Sequence, residues 1–161
     1  METVAVYNEH PVKVYGVKLI ENLLLLEASG RQHDLPALAL AAQDIDQRFR
    51  PALLMASWPD DAPRLCFCLE RAQAAELERA LERAGLTIDQ RRPASLIHLQ
   101  GPHFGDRFGI VALALDGLVL AGVEALAVAA AVHSLFVVVE PSLAERATRG
   151  LRDHFSPAGE A

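Results

Sequence analysis

The chain has 161 residues, 52% of them hydrophobic and 6% aromatic, and a formal net charge of −6. That length suits one domain or two small halves, with a core that must be built from Leu, Val and Ala. The acid excess excludes nucleic-acid binding, because phosphate contact needs a basic stripe and the Lys and Arg residues here are spread among acids.

The start, Met1-Glu2-Thr3-Val4, lacks the basic end and apolar stretch of a signal peptide. Leu113 to Ala131 is apolar, but Asp116, Gly117, Gly122 and Glu124 interrupt it, and a bilayer span needs about 20 largely uncharged residues. The expectation is a cytoplasmic protein with no membrane partner.

Val12 to Ile20 alternates as a strand, and Leu23 to Glu27 is a continuous apolar run of the kind buried on both faces. Gly30 to His33 reads as a loop. Asp34 can cap a following helix with Pro36 in its first turn, and Leu38, Ala41, Ala42, Ile45 and Phe49 give that helix one apolar face. Leu53 to Ser57 and Leu65 to Leu69 read as a hairpin around Trp58 to Pro63. Gln73 to Arg83 is an amphipathic helix closed by Gly85, with Ala74, Leu77 and Leu81 inward. Leu86 to Ile88 can add a short strand, and the charged, Pro-containing stretch Asp89 to Ala94 reads as a linker. Ser95 to Gln100 is then a strand, Gly101 to Gly105 a loop, and Asp106 to Ala121 a helix ended by Gly122. Val123 to Val132 pairs with Leu135 to Glu140, and Ser142 to Phe155 is the last helix.

This order repeats. Asp34-Leu35-Pro36-Ala37-Leu38 and Asp106-Arg107-Phe108-Gly109-Ile110 open equivalent helices 72 residues apart (34 to 106), and Asp44 and Asp116 fall in the same register. The period is too long for a solenoid unit and fits two small fused α/β domains. Each half reads β-α-β-β-α with room for a final strand, the ferredoxin-like βαββαβ arrangement. The fold class is therefore α+β, with domains expected at 1–92 and 93–161. Small cores and apolar strands call for a homodimer through the sheets.

The best site candidate is the glycine-rich turn before the second-half helix, where free N–H groups and the helix dipole attract a carboxylate or phosphate. Its residues are Gly101, His103, Phe104, Gly105, Asp106, Arg107, Phe108, Gly109 and Ile110, with Asp106 as the expected cap. Gln32, His33 and Asp34 are the matching positions in the first half. His98 and His103 flank the turn at a spacing that fits no zinc pattern. Cys66 and Cys68 read as buried strand residues. Ser134 beside His133 cannot make a nucleophile–base pair, since neighbouring strand residues face opposite sides. No catalytic constellation, metal site or cofactor motif emerges. The residues describe a binding module rather than an enzyme.

Asp106-Arg107-Phe108-Gly109-Ile110 resembles the D-R-P-G-[IL] turn of tandem ACT domains, with Phe at the Pro position, and Asp34-Leu35-Pro36-Ala37-Leu38 keeps the Pro without the Gly. Val14-Tyr15-Gly16-Val17, Leu118 to Val123 and Val137-Val138-Val139 are likewise similar to the regulatory tail of aspartate kinases. The likeness runs over residues 12–155 and includes no kinase domain. It implies two ACT-type units that bind an amino acid of the lysine or threonine class and regulate a separate biosynthetic enzyme. An alternative is an ACT-fold assembly protein that has lost its ligand. The strand Ala125 to Ala131 lacks the polar side chains that family members place around the effector.

Overall fold

A computed structural model describes residues 11–31, 43, 45, 48–59, 62–102 and 104–157. The expected first-half helix and its turn, including Gln32, His33 and Asp34, therefore lie almost wholly outside the described residues. The strands are β1 (Val12–Val14), β2 (Gly16–Ser29), β3 (Leu53–Ser57), β4 (Arg64–Glu70), β5 (Thr87–Gln100), β6 (Ala127–Ala131), β7 (Ser134–Val139) and β8 (Phe155–Pro157). The helices that lie wholly within the described residues are α1 (Arg71–Arg83), α2 (Ile110–Leu120) and α3 (Ala144–Arg152), and Gln43, Ile45 and Arg48 are also helical. It is a mixed α/β fold with antiparallel sheet.

The chain divides into two compact units, one made of residues 1–20 and 96–161, the other of residues 21–95. One division falls between residues 95 and 96, three residues from the expected boundary at 92, and a second falls between residues 20 and 21. The expected linker Asp89 to Ala94 lies within β5, exposed from Asp89 to Pro93 and buried from Ala94 to Ile97. Its charged side chains look like linker composition, yet the backbone stays in register as a strand.

In the unit of residues 21–95 the strand order is β3-β4-β2-β5. β2 pairs antiparallel with β4 from Leu23↔Glu70 to Ser29↔Arg64, and β3 pairs with β4 from Leu53↔Cys68 to Ser57↔Arg64. Alternate residues Leu65, Phe67 and Leu69 point to one face, where they meet Leu26, Ala28, Ile45 and the α1 residues Leu77, Ala80 and Leu81. α1 ends because Gly85 adopts φ +81, which lets Leu86 N–H donate to Leu81 O at 3.0 Å.

In the other unit, the start of β2, the end of β5, β7 and β6 lie in that order. β6 and β7 form a hairpin from Ala127↔Val138 to Ala131↔Ser134. Ile97 and Leu99, with Leu135, Val137 and Val139, make one apolar face that receives Ile110, Ala114 and Leu118 of α2 and Ala147 and Leu151 of α3. β1 adds a parallel pairing to β8, Val12↔Phe155 to Val14↔Pro157, and buries Val12 and Val14 in the same core. Residues 12–19 thus serve the C-terminal half. β2 and β5 each contribute to both units.

Candidate functional site

The turn before α2 is held from below. Gly101 N–H donates to His133 O at 3.1 Å, and Gly105 N–H donates to Val132 O at 3.1 Å. These bonds fasten the turn to the β6–β7 hairpin. Gly101 is required by packing, because a Cβ there would stand 2.5 Å from the Phe104 ring. Phe104 is only 4% exposed and meets Phe155 edge-on, with ring centroids 6.2 Å apart. Ile110 is also in the core. Gly101, Phe104 and Ile110 therefore brace the turn, and Gly105, Phe108 and Gly109 form its outer surface, with Arg107 half-buried between. His103 lies outside the described residues.

The helix starts later than its sequence suggests. Asp106 closes a short 3-10 turn (Phe104–Asp106), and the residue flanking α2 is Gly109, at φ +81. The residue before the helix is thus a left-handed glycine, three positions after Asp106. The first internal bond of α2 runs from Leu113 N–H to Gly109 O at 2.9 Å. The N–H groups of Ile110, Val111 and Ala112 precede that bond, and the flanking Gly109 brings no side chain to them.

His98 sits elsewhere on this unit. Its ring stacks on Phe136 at 4.6 Å between centroids, and Nε2 is 3.0 Å from Ser134 Oγ. Burial, and then the Lys18 ammonium, hold its pKa below the usual imidazole value. Among the described residues no carboxylate orients the other ring nitrogen, so the pair lacks the third member that activates a serine nucleophile. Burial, with Glu27 adding to it, pushes the Cys66 thiol up to about 11. Burial and then Cys66 push Cys68 up to about 12. Among the described residues no group of three His, Cys, Asp or Glu could hold a metal ion. No helix among them is long and apolar enough to cross a membrane.

Sequence reasoning missed a cleft of about 490 Å3 at the other end of α2, lined by Leu120 and Ala121 and by Arg146, Arg149 and Arg152 of α3. Arg146 donates to Gly122 O at 3.0 Å, across the end of α2. The three-residue spacing of these arginines on one helix was the available signal.

No protein-family model matches this chain, and no curated protein matches it. Solved structures do. The regulatory subunit of aspartate kinase from Thermus flavus superposes with a TM-score of 0.75 at 17% identity, over 88% of this chain and 98% of that one. The ligand-free regulatory subunit from Thermus thermophilus gives 0.74 at 18% identity, over 88% and 97%. The fold is that of the regulatory subunits of aspartate kinase. Escherichia coli aspartokinase III in complex with lysine and aspartate gives 0.60 at 17% identity, over 91% of this chain and 34% of that one. The likeness to the isolated regulatory subunits covers nearly all of both chains and includes no kinase domain.

Proposed function

We propose that this chain is a regulatory module of two ferredoxin-like ACT units that binds an amino acid and acts as a homodimer on a separate biosynthetic enzyme. The observation that carries the reading is the fold match to regulatory subunits over 88% of this chain and 97–98% of theirs. The strand orders support the unit type. Counted within the unit of residues 21–95, β2, β3, β4 and β5 lie as 2-3-1-4, the ferredoxin-like order, and β5, β6, β7 with the start of β2 repeat it with the edge strand supplied from the N-terminus.

The ligand is an amino acid of the lysine or threonine class, its carboxylate on the N–H groups at the start of α2, with Gly105 and Gly109 allowing close approach and Arg107 beside them. The aspartokinase III complex with lysine supports the choice of class. The chain performs no catalysis in this reading. A thermal-shift screen of the standard amino acids tests it, with saturating ligand at a hundredfold excess over Kd adding about 2.7 kcal/mol. Gly109→Asp should abolish the response, because its side chain would bring bulk and negative charge to the place proposed for the ligand's carboxylate, and Asp tolerates the left-handed backbone there. If no amino acid moves Tm, the ligand reading fails and the ACT-fold assembly protein replaces it.

A further inference from the structure

Arg146, Arg149 and Arg152 follow one another up α3, and all three line the cleft of about 490 Å3 at the C-terminal end of α2. Leu120 and Ala121 give it an apolar wall, and Asp153 lines it as well. Its frame is backbone. Gly117 and Gly150 bring the two helices so close that a Cβ at Gly150 would stand 2.5 Å from Gly117 O. Gly122, at φ +63, closes α2, and Val123 N–H donates to Leu118 O at 2.9 Å. Arg146 spans the join, its Nη2 donating to Gly122 O at 3.0 Å. The cleft is therefore formed before any ligand arrives, as small-molecule sites usually are.

The charges in the cleft do not cancel within the chain. Arg149 has Glu145 four residues before it and Asp153 four residues after it, the spacing at which helix ion pairs form. It pairs with neither, and among the described residues Arg149 and Arg152 make no ion pair at all. The C-terminal ends of α2 and α3 carry about half a negative charge each. With Asp153 they offset two of the three guanidinium groups and leave about one positive charge, on a chain whose formal net charge is −6.

A carboxylate has two oxygens, which one guanidinium fork fills, whereas a terminal phosphate offers three and accepts from several forks. We propose that the cleft binds an organic phosphate of nucleotide size, its phosphates on Arg149 and Arg152 and its planar body against Leu120 and Ala121. Asp153 takes its hydroxyls, as acidic residues take ribose hydroxyls in dinucleotide folds. Ligand pockets of about 300–1,000 Å3 suit such a molecule, and inorganic phosphate alone leaves most of this one unfilled. The arginine row covers six residues, roughly 9 Å along the helix, which matches a short phosphate chain and is too short for an acidic polypeptide. The start of α2 lies ten residues away, roughly 15 Å, so this site stands whether or not an amino acid binds there.

Calorimetric titration of the full chain with ADP, pyrophosphate and adenosine tests the proposal, at about 50 mM salt, where exposed charges are weakly screened. ADP should bind with a Kd below about 1 mM, and pyrophosphate and adenosine should each bind about tenfold more weakly or worse. Arg149→Gln and Arg152→Gln should each weaken ADP about tenfold, with the Tm of the free protein unchanged. Arg92→Gln, on the exposed part of β5, should leave ADP binding as it is. Absence of binding at about 5 mM ADP, or binding that survives both cleft substitutions, would overturn the site. Pyrophosphate binding as tightly as ADP would overturn the seat for the organic body. None of these results bears on an amino-acid response at the start of α2, which the thermal-shift screen reads separately.

Discussion

His98 keeps one face on Phe136 and its Nε2 on Ser134, in a setting that disfavours the charged ring. A folded-state pKa below the ordinary imidazole value of 6.5 means that the unfolded chain takes up the proton first. The contribution of His98 to stability is therefore full above that value and is lost as pH falls from about 6.5 towards the lowered folded pKa. His98→Gln, which cannot protonate, should flatten the stability profile between about pH 7 and pH 5 in urea unfolding. Equal slopes for the two proteins would show that the imidazole does not titrate differently on folding. The cysteines give a second test at this scale. With pKa values pushed up to about 11 and about 12, both thiols stay protonated near neutrality, and the thiolate is the reactive form. At about pH 8 a disulfide reagent should label Cys66 and Cys68 at least a hundredfold more slowly in the folded protein than in urea. That the two cysteines share one face was legible from period 2, which sets them opposite Leu65, Phe67 and Leu69; that Cys68 is buried there and Cys66 half-buried was not. The His98–Ser134 contact was not, because it joins strands 36 residues apart in the chain.

Among the elements, amphipathic ones were legible nearly to the residue and exposed ones were not. α1 was expected from Gln73 to Arg83 and spans Arg71–Arg83, since its inward residues Ala74, Leu77 and Leu81 carry the helical period. α2 starts four residues after Asp106 because tertiary packing of Phe104 and the two bonds to the β6–β7 hairpin hold the turn open, and neither leaves a local pattern. The contact between α2 and α3 rests on two glycines that sequence periodicity treats as interruptions. A Cβ at Gly150 would stand 2.5 Å from Gly117 O and 2.7 Å from the Ala121 Cβ, and one at Gly117 would stand 2.7 Å from Gly150 O. Backbone oxygen cannot rotate out of the way, so the helices must separate. Gly150→Ala should cost about 1–3 kcal/mol despite its gain in helix propensity. For a chain of this length that is a fall of roughly 2–12 °C in Tm. Gly16→Ala, where nothing lies within 4 Å, is the matched control and should leave Tm almost unchanged. A Gly150→Ala protein as stable as the wild type would mean that the two helices can part without cost.

At the scale of the whole chain, the sequence repeat conceals an exchange. The 72-residue register places the first strands with the first half, whereas the compact units group residues 1–20 with residues 96–161. Periodicity reports which elements recur, but strand pairing decides which body each one joins, and pairing across 143 residues leaves no local mark. Val12 and Val14 are buried in the core formed by the C-terminal half, and Val17 and Leu19 pack against it. Tyr15 N–H donates to Gln100 O at 2.7 Å, and Val12 N–H to His154 O at 2.8 Å. Burying two valines contributes about 3–6 kcal/mol by transfer arithmetic, a large share of the roughly 5–15 kcal/mol that holds a domain together. A fragment of residues 93–161 should therefore fail to fold cooperatively, although the repeat alone marks it as a complete half. Joining residues 11–20 to its C-terminus through a flexible linker of about ten residues should restore a cooperative thermal transition, because β1 needs only to reach its parallel partner β8. Near-UV circular dichroism and calorimetry on the two fragments would check this. Cooperative melting of residues 93–161 alone would show that the N-terminal strands are an accessory to that unit and not part of its core.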